Sequence, residues 1–254
     1  MKEKIACALF GQPRHHYKGF KNISKSFNDS KWDVDFFCHS YQADKTEKFY
    51  KASPWRPKAG LSKVIENTKS ELSKLYNPIE IQVDPTYGHS NNSIKDSLIY
   101  NTTKHYQKKP IYDNIGNTWS QIYSRSRVCR LVSESKNNYK LVVITRYDHR
   151  RQFNKILNTD LDLNYIYSAP PKFVENPQIS DHLLITGFEN FVKIFDVYNN
   201  LENIKNNKKL YELAKELNIE FLFNVEHLIL LNIVYHFGNL DILKYDKDIP
   251  GILM

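Results

Sequence analysis

Compact apolar runs alternate with amphipathic stretches along residues 1–150 of the chain. Strands are predicted where apolar or alternating positions follow one another, at residues 5–10, 34–38, 79–83 and 141–144. Helices are predicted where apolar residues recur every three to four positions, over residues 18–28, 61–76 and 119–134. Because strands that alternate with helices form βαβ units, the pattern predicts an α/β fold with a mostly parallel, Rossmann-like central sheet flanked by helices.

The remainder of the chain is predicted to be more helical. A short strand is expected over residues 164–168, and a run from polar to apolar residues over 179–187 ends in a glycine. Helices are predicted over residues 188–198, 210–217 and 224–237. The last of these is apolar almost all round and is therefore predicted to be buried. No repeat or composition break is evident, which indicates one domain over residues 1–254 with a helical C-terminal part.

Two polar segments show neither the helical nor the strand pattern of apolar residues and are predicted to be loops. They cover residues 42–60 and 86–117, and a structureless stretch as long as the second is usually mobile or functional. Asn117 and Thr118 at its end offer side chains that can cap the helix that follows.

The strand over residues 141–144 ends in an unusual cluster of charges. Arg146, Asp148, His149, Arg150 and Arg151 follow it directly. Open α/β sheets bind ligands at the carboxyl ends of their strands, which is where these residues fall. Asp148 can hold a metal ion or a sugar hydroxyl, and planar guanidinium groups suit phosphate oxygens. A strand that runs into a solvated, charged loop is the alternative interpretation.

The charge balance of the chain suits an anionic partner. The formal net charge is +8 and the pI is about 9.1. Lysines are scattered rather than clustered, however, and a nucleic-acid-binding protein needs a continuous basic surface with interleaved aromatic residues. We therefore expect no nucleic-acid partner, although such a protein stays a competing hypothesis.

Cysteine usage and hydropathy exclude several other classes of protein. Cys7, Cys38 and Cys129 are odd in number and lack the spacing of metal ligands, so neither a disulfide framework nor a zinc site is expected. The apolar part of the N-terminus is too short for a signal peptide, and no apolar run of about 18 residues predicts a transmembrane segment. The expected location is the cytoplasm.

Six short motifs, taken in order, resemble a known family. They are Gly-Gln-Pro-Arg at 11–14, Val-Asp-Phe-Phe-Cys-His at 34–39, Ser-Gln-Ile-Tyr-Ser at 120–124, Thr-Arg-Tyr-Asp at 145–148, Ser-Asp-His at 180–182 and Asn-Val-Glu-His at 224–227. In this order they resemble the small glycosyltransferase-like proteins with a GT-A fold that occur in polysaccharide gene clusters and large DNA viruses. The resemblance spans most of the chain, although each motif is short.

The resemblance implies a donor site for a nucleotide-diphosphate sugar at the carboxyl ends of the strands. It assigns residues 1–150 to the half that binds this donor and residues 151–254 to a mostly helical half on the acceptor side. The implied donor-binding residues are Gly11, Gln12, Pro13 and Arg14 in the turn after the first strand, Ser120, Gln121, Ser124 and Arg127 on one helix, and Arg146 and Asp148.

The chain departs from the family pattern at one position of the implied metal site. Asp148 corresponds to the carboxylate of an Asp-x-Asp signature that holds a divalent metal against the diphosphate, but Arg146 stands at the first position. Mg²⁺ or Mn²⁺ is often held by one or two carboxylates together with substrate phosphates, so Asp148 alone could suffice. Arg146 could equally replace the metal as the counter-charge. Both alternatives stay open at the level of sequence.

Glycosyl transfer with inversion needs a base that takes a proton from the acceptor hydroxyl. Asp181 and Glu226 are the candidate catalytic residues, with Asp181 as the first candidate for the base and Glu226 expected to contact the substrate or to form a structural ion pair. Asp181 lies in a polar loop that enters an apolar run, and capping of the following segment is its alternative role. Glu226 is a lone carboxylate on an apolar helix, where such a group is usually paired or functional.

A glycosyltransferase is the leading hypothesis for the function of this chain. It would move a sugar from a nucleotide-diphosphate donor to a glycan or a related acceptor. A GT-A-like protein that has lost catalysis and only binds a nucleotide or sugar is the alternative that Arg146 keeps open.

Overall fold

A computed structural model describes residues 3–43, 49–50, 62–85, 94–106, 115–170 and 177–249. Its central feature is a seven-stranded sheet in the order β5-β2-β1-β6-β8-β7-β9. Neighbouring strands are parallel except that β8 runs antiparallel to both β6 and β7. The strands of this sheet are β1 (Lys4–Phe10), β2 (Asp33–Gln42), β5 (Glu80–Pro85), β6 (Leu141–Arg146), β7 (Ile166–Ser168), β8 (Leu183–Gly187) and β9 (Leu243–Tyr245).

The other elements are a two-stranded antiparallel ribbon and helices that flank the sheet. The ribbon pairs β3 (Phe49–Tyr50) with β4 (Ser62–Lys63). The helices are α1 (His16–Asn28), α2 (Thr68–Tyr76), α3 (Leu98–Tyr106), α4 (Ile115–Ser133), α5 (Asn154–Leu157), α6 (Phe188–Ile194), α7 (Val197–Ile204), α8 (Lys208–Glu216) and α9 (Val225–Phe237). Within the described ranges, no helix is long and apolar enough to cross a membrane.

The central strands are buried on both faces, which explains their continuous apolar sequences. In β1, Ala6, Ala8 and Phe10 pack into one hydrophobic cluster, whereas the alternate residues Ile5, Cys7 and Leu9 pack into the other. The first cluster lies under α4, α6, α7 and α9, and the second lies under α1, α2 and α5. A strand with helices on both faces needs apolar residues at every position.

The connections of the sheet create a crevice between β1 and β6. From β1 the chain leads to β2 and then to β5 on one side, and α4 afterwards brings it back to β6 on the other side of β1. Connections that diverge in this way leave a crevice outside the carboxyl ends of the two strands, where open α/β sheets bind their ligands. The turn that begins at Gly11 and the charged segment from Arg146 to Asp148 therefore meet at this crevice.

The structure confirms the predicted fold class. The mixed α/β architecture, the mostly parallel sheet and the helical C-terminal part are all present. The buried C-terminal helix is present as α9, with the side chain of Asn224 accepting a hydrogen bond from the backbone N–H of His227 at its start. The sheet draws strands from both predicted halves of the chain, and the division at residue 150 stays a prediction.

Several predicted boundaries in the first half are wrong. The helix predicted from residue 61 begins only at Thr68, because Ser62 and Lys63 pair with β3 instead. The segment 86–117 is not a continuous loop, because it contains α3 and the start of α4. Asn117 and Thr118 lie inside α4 and do not cap it. Most of the loop predicted over residues 42–60 lies outside the described residues.

Two differences in the second half have tertiary causes. The single helix predicted over residues 188–198 is two helices, α6 and α7, with Asp196 at the start of the second. The Asp196 carboxylate accepts one hydrogen bond from the nearby Asn199 and another from Ser126 on α4, which is remote in sequence. The short strand β9 was not predicted, and it forms because Leu243–Tyr245 pairs with β7.

Gly19 of α1 provides a test of how closely this helix approaches the loop after β6. A Cβ atom at Gly19 would lie 1.6 Å from the backbone oxygen of Tyr147. We expect Gly19→Ala to lower the free energy of unfolding by about 1–3 kcal/mol or more, because overpacking moves the backbone. Urea denaturation measures the change.

Gly116 of α4 is the matched control, since a Cβ atom there would meet nothing within 4 Å. Gly116→Ala should be neutral or stabilising by up to about 1 kcal/mol, because alanine favours a helix. Equal effects of the two substitutions would contradict the close approach of α1 to the Tyr147 backbone.

Candidate functional site

The turn after β1 forms one wall of the crevice and is fixed from two sides. Gly11 adopts a φ of 93°, in the left-handed region that favours glycine. Its backbone N–H donates a hydrogen bond of 2.8 Å to Ser124 Oγ on α4, and its carbonyl accepts one of 3.0 Å from Ser40 Oγ at the end of β2. These contacts join the turn to the neighbouring strand and to the helix that crosses the sheet.

A buried polar chain continues from Ser124 to the end of β5. Ser124 Oγ lies 2.7 Å from His39 Nδ1, and His39 Nε2 lies 3.1 Å from Asp84 Oδ2. Since the ionised carboxylate of Asp84 can only accept, the consistent assignment has the Nε2–H of a neutral His39 donating to Asp84 and Ser124 donating to Nδ1. Burial lowers the pKa of His39 to about 4, in agreement with a neutral ring. Ser124 is fully buried, so this chain fixes the turn.

Arg146 lies at the end of β6 and binds two carboxylates. Its Nε and one terminal nitrogen donate to the two oxygens of Asp148 at 3.0 and 2.9 Å, and the other terminal nitrogen donates to Asp181 Oδ2 at 3.3 Å. The side chains are only 14% (Arg146), 14% (Asp148) and 8% (Asp181) exposed. We call this arrangement the Arg146 clamp.

The electrostatics of the Arg146 clamp keep all three of its groups charged. Burial alone would raise the pKa of Asp148, but the positive charges around it, led by Arg146, outweigh burial and lower that pKa. Burial opposes the charge of Arg146 as well, and its two carboxylate partners raise its pKa above the ordinary value. A bidentate pair between an arginine and a carboxylate is among the stronger ionic contacts in proteins.

Arg125 on α4 is a buried cation next to the clamp. It is 1% exposed, its guanidinium lies 4.2 Å from the ring centre of Phe10, and a terminal nitrogen donates to the backbone carbonyl of Asp181. Burial lowers its pKa to about 10, so it is still charged at neutral pH. Its other two guanidinium nitrogens have no hydrogen-bond partner among the described residues.

Arg14 adds a third positive charge from the turn after β1. Burial is the main influence on its pKa and lowers it, and Arg146 lowers it further, whereas Asp148 and Asp181 raise it. These influences place Arg14 beside the clamp. Three guanidinium groups and two ionised carboxylates thus lie close together at this part of the crevice.

Glu226 adds to the same site a carboxyl group whose pKa is raised, in contrast to that of Asp148. It lies in the first turn of α9, where burial and then the negative charge of Asp181 raise its pKa to about 7. Asp181 behaves in the opposite way. Burial raises its pKa, but the charges of His182, Arg146 and Arg125 outweigh burial and lower it. Neighbouring carboxyl groups whose pKa values are driven apart are typical of acid–base sites.

The structure brings six of the predicted residues to the crevice and separates others from it. Gly11, Arg14, Arg146, Asp148, Asp181 and Glu226 belong to the turn and the charged cluster. Within the turn, Gln12 accepts a hydrogen bond from the backbone N–H of Arg14, and the carbonyl of Pro13 lies 3.0 Å from His16 Nδ1.

The predicted donor-binding residues of α4 contact different parts of the structure. Ser124 supports the turn, and the carbonyl of Ser120 accepts a hydrogen bond of 2.6 Å from Tyr41. Arg127 donates to Gln82 at 2.9 Å, on the β5 side of the sheet. Gln121 has a buried side-chain oxygen without a hydrogen-bond partner in the described part of the chain.

Arg125 and His39 are important residues of the site that the sequence interpretation missed. A signal for Arg125 was present, since it shares a helix face with Ile122, Cys129 and Val132, and an arginine on an apolar face is unusual. His39 lies in β2, one residue beyond the end of the predicted strand, and nothing in the sequence shows that Ser124 and Asp84 would meet it.

The donor set at Asp148 does not fit a divalent cation. Both of its carboxylate oxygens already bind Arg146, and no group of three or more His, Cys, Asp or Glu residues within the described ranges could hold a metal ion. A metal at Asp148 would have to displace the guanidinium. Breaking a buried ion pair costs about 3–5 kcal/mol, since a charge is left unpaired.

No protein-family model matches this sequence, and no curated protein matches it. Among solved structures, it is similar to the apo form of the glycosyltransferase GlyE of Streptococcus pneumoniae, with a TM-score of 0.38 and 11% identity over 98% of this chain and 46% of that one. A second GlyE structure gives a TM-score of 0.35 with the same identity and coverage. The chain spans less than half the length of GlyE.

Mouse xyloside xylosyltransferase 1 in its apo form is a further similar structure. Its TM-score is 0.37, with 9% identity over 96% of this chain and 84% of that one. Both proteins are glycosyltransferases. Because the TM-scores are below 0.5, the chemistry of this chain has to be argued from its own side chains.

The Arg146 clamp makes a prediction for stability. Arg146→Met leaves Asp148 and Asp181 buried near each other without their shared cation, so we expect the free energy of unfolding to fall by about 3–5 kcal/mol at pH 7. Adding Asp148→Asn should restore part of the loss. Urea denaturation of both variants measures these changes.

Arg150→Met is the control, because Arg150 follows the clamp in sequence but is exposed. Its effect should stay within about 0.5 kcal/mol. An equally small effect of Arg146→Met would show that the clamp contributes nothing to stability.

The pKa of Glu226 makes a prediction for the pH dependence of stability. Since the folded state raises this pKa from 4.5 to about 7, the folded protein binds more protons than the unfolded chain between these values, and stability falls as pH rises through them. At pH 8 we expect Glu226→Gln to be more stable than the wild type by roughly 1–3 kcal/mol, a range reduced for partial exposure. At pH 4.5 the two proteins should be equal, because a protonated glutamate resembles glutamine. Denaturation at both pH values checks this, and equal stability at pH 8 would contradict it.

Proposed function

We propose that this protein is a glycosyltransferase that moves a sugar from a nucleotide-diphosphate donor to a hydroxyl group of a glycan or a related acceptor. One observation carries the proposal. A cluster of three arginines, with Arg146 held by Asp148 and Asp181, lies at the crevice between β1 and β6 beside a carboxyl group whose pKa is about 7. The cations suit a diphosphate, and the carboxyl suits proton transfer near neutral pH.

The turn after β1 and the Arg146 clamp are proposed to bind the donor together. Gly11, Gln12 and Pro13 form the rigid turn at the nucleotide, and Arg14 extends from it toward the clamp. Guanidinium groups of Arg14 and Arg146 then meet the phosphate oxygens. The role of Ser124 is to hold the turn, while Ser120, Gln121 and Arg127 on α4 stay predicted donor contacts.

Glu226 is proposed as the base of the transfer step. It takes the proton of the acceptor hydroxyl while that oxygen forms a bond to the anomeric carbon of the donor. The bond from this carbon to the diphosphate oxygen breaks, and the leaving nucleotide diphosphate keeps the electron pair, where nearby arginines stabilise its charge. Asp181 is the weaker base of the two, since the surrounding cations lower its pKa. Its proposed task is to hold Arg146.

Nucleotide binding tests the proposal most directly. Thermal unfolding is measured with UDP, GDP, CMP and dTDP and with their sugars, each with and without Mn²⁺. A ligand at a hundred times its Kd adds about 2.7 kcal/mol of stability, so the right nucleotide should raise the Tm by roughly 5–11 °C for a chain of this size. If no nucleotide raises the Tm, the proposal is wrong.

Turnover separates an enzyme from a protein that only binds nucleotides or sugars. With the binding donor and a panel of glycans, Glu226→Gln should lower the release of nucleotide diphosphate about 10²–10⁴-fold while the donor still binds. Equal turnover by the variant would remove Glu226 from the mechanism. Nucleotide binding without turnover by the wild type would favour the non-catalytic alternative.

A further inference from the structure

We propose that Arg146 is the permanent counter-charge for the donor diphosphate, so that this site binds its donor without a divalent cation. The inference rests on the proposed function and goes beyond it, because it defines how the leaving group is held. It also gives Asp148 a different task from the one that the sequence motif implies. Asp148 becomes a positioning residue that orients a guanidinium group.

The Arg146 clamp holds the guanidinium group of Arg146 in one position and orientation. All three guanidinium nitrogens donate to carboxylate oxygens, two to Asp148 at 3.0 and 2.9 Å and one to Asp181 at 3.3 Å. Asp148 lies two residues further along the chain, whereas Asp181 lies at the entrance to β8. The planar group is thus held from two directions by two elements of the fold.

Backbone pairing adds a second restraint to the same residue. β6 and β8 are antiparallel neighbours, with Thr145 opposite Leu183. The backbone N–H of Arg146 donates to the carbonyl of His182 at 3.4 Å, and Thr145 Oγ1 donates to the same carbonyl at 2.7 Å. The register that these bonds fix places Asp181 beside the guanidinium. Arg146 therefore occupies its position before any ligand arrives, and the cation need not be recruited from solution.

The charges around the clamp favour an anion over a second cation. Both oxygens of Asp148 and one oxygen of Asp181 already accept from Arg146, and the other Asp181 oxygen is buried 3.4 Å from His182 Nε2 without a hydrogen-bond partner among the described residues. Arg14 and Arg125 place two further positive charges around these carboxylates. A divalent ion would have to compete with these guanidinium groups for the carboxylates, whereas a diphosphate can accept hydrogen bonds from the guanidinium groups.

Calorimetric titration of the wild type with the nucleoside diphosphate that raises its Tm tests the inference. The Kd measured in EDTA and the Kd measured in millimolar Mn²⁺ should differ by less than about threefold. Binding that requires Mn²⁺, or that Mn²⁺ tightens more than about tenfold, would overturn the inference and leave the proposed function in place. No binding under either condition would overturn both.

Exchange of the cation for a carboxylate gives the sharpest test. Arg146→Asp places two carboxylates at positions 146 and 148, and we expect it to lose binding in EDTA by at least about a hundredfold and to recover part of it in Mn²⁺. Arg150→Asp makes the same charge change at an exposed position and should bind like the wild type. Binding by Arg146→Asp in EDTA that equals the wild type would contradict the role of Arg146.

Arg146→Lys keeps the test decisive if Arg146→Asp does not fold. A lysine keeps the positive charge but lacks the planar fork, so binding should weaken about tenfold and stay independent of Mn²⁺. Circular dichroism confirms the folding of each variant. If Arg146→Lys binds only in Mn²⁺, or as tightly as the wild type, the permanent counter-charge is not the guanidinium of Arg146.

Discussion

A buried guanidinium group needs partners for its positive charge, and the two carboxylates that bind Arg146 shape the crevice. Asp148 and Asp181 come from different parts of the chain, and both must reach the end of β6 to satisfy it. Their contacts join the loop after β6 to the segment that enters β8. Loss of either partner would leave a charge in a poorly solvated place, which is far more costly than loss of a surface ion pair.

The same interaction couples the clamp to the proton chemistry of α9. Asp181 stays ionised because cations surround it, and its negative charge helps to keep the proton on Glu226. Because the folded state raises the pKa of Glu226 from 4.5 to about 7, stability falls as pH rises between these values, and the full loss remains above them. A group that can exchange protons near neutral pH is therefore present at a cost in stability. Arg146, Asp181 and Glu226 therefore act as one electrostatic unit, although their chain positions are well separated.

Much of the fold was predictable because burial on both faces leaves a direct signal in sequence. The runs that became β1 and β6 are apolar at consecutive positions, and the apolar residues all round α9 indicated a buried helix. The errors occur where distant contacts decide. Ser62 is in a strand because β3 pairs with it, and α3 is stabilised by contacts such as the hydrogen bond from the backbone N–H of Phe223 to Thr103.

For the site, the sequence by itself determined that Arg146 and Asp148 stand at the carboxyl edge of the sheet, and the family resemblance indicated Gly11 and Arg14 as their neighbours in a donor site. Only the tertiary structure decided what each of them contacts. It placed both oxygens of Asp148 on Arg146 and brought the buried Arg125 beside Asp181. The physical reason is that the strand order and the path of α4 across the sheet set the distances between these side chains. Neither feature can be deduced from local periodicity or motif spacing.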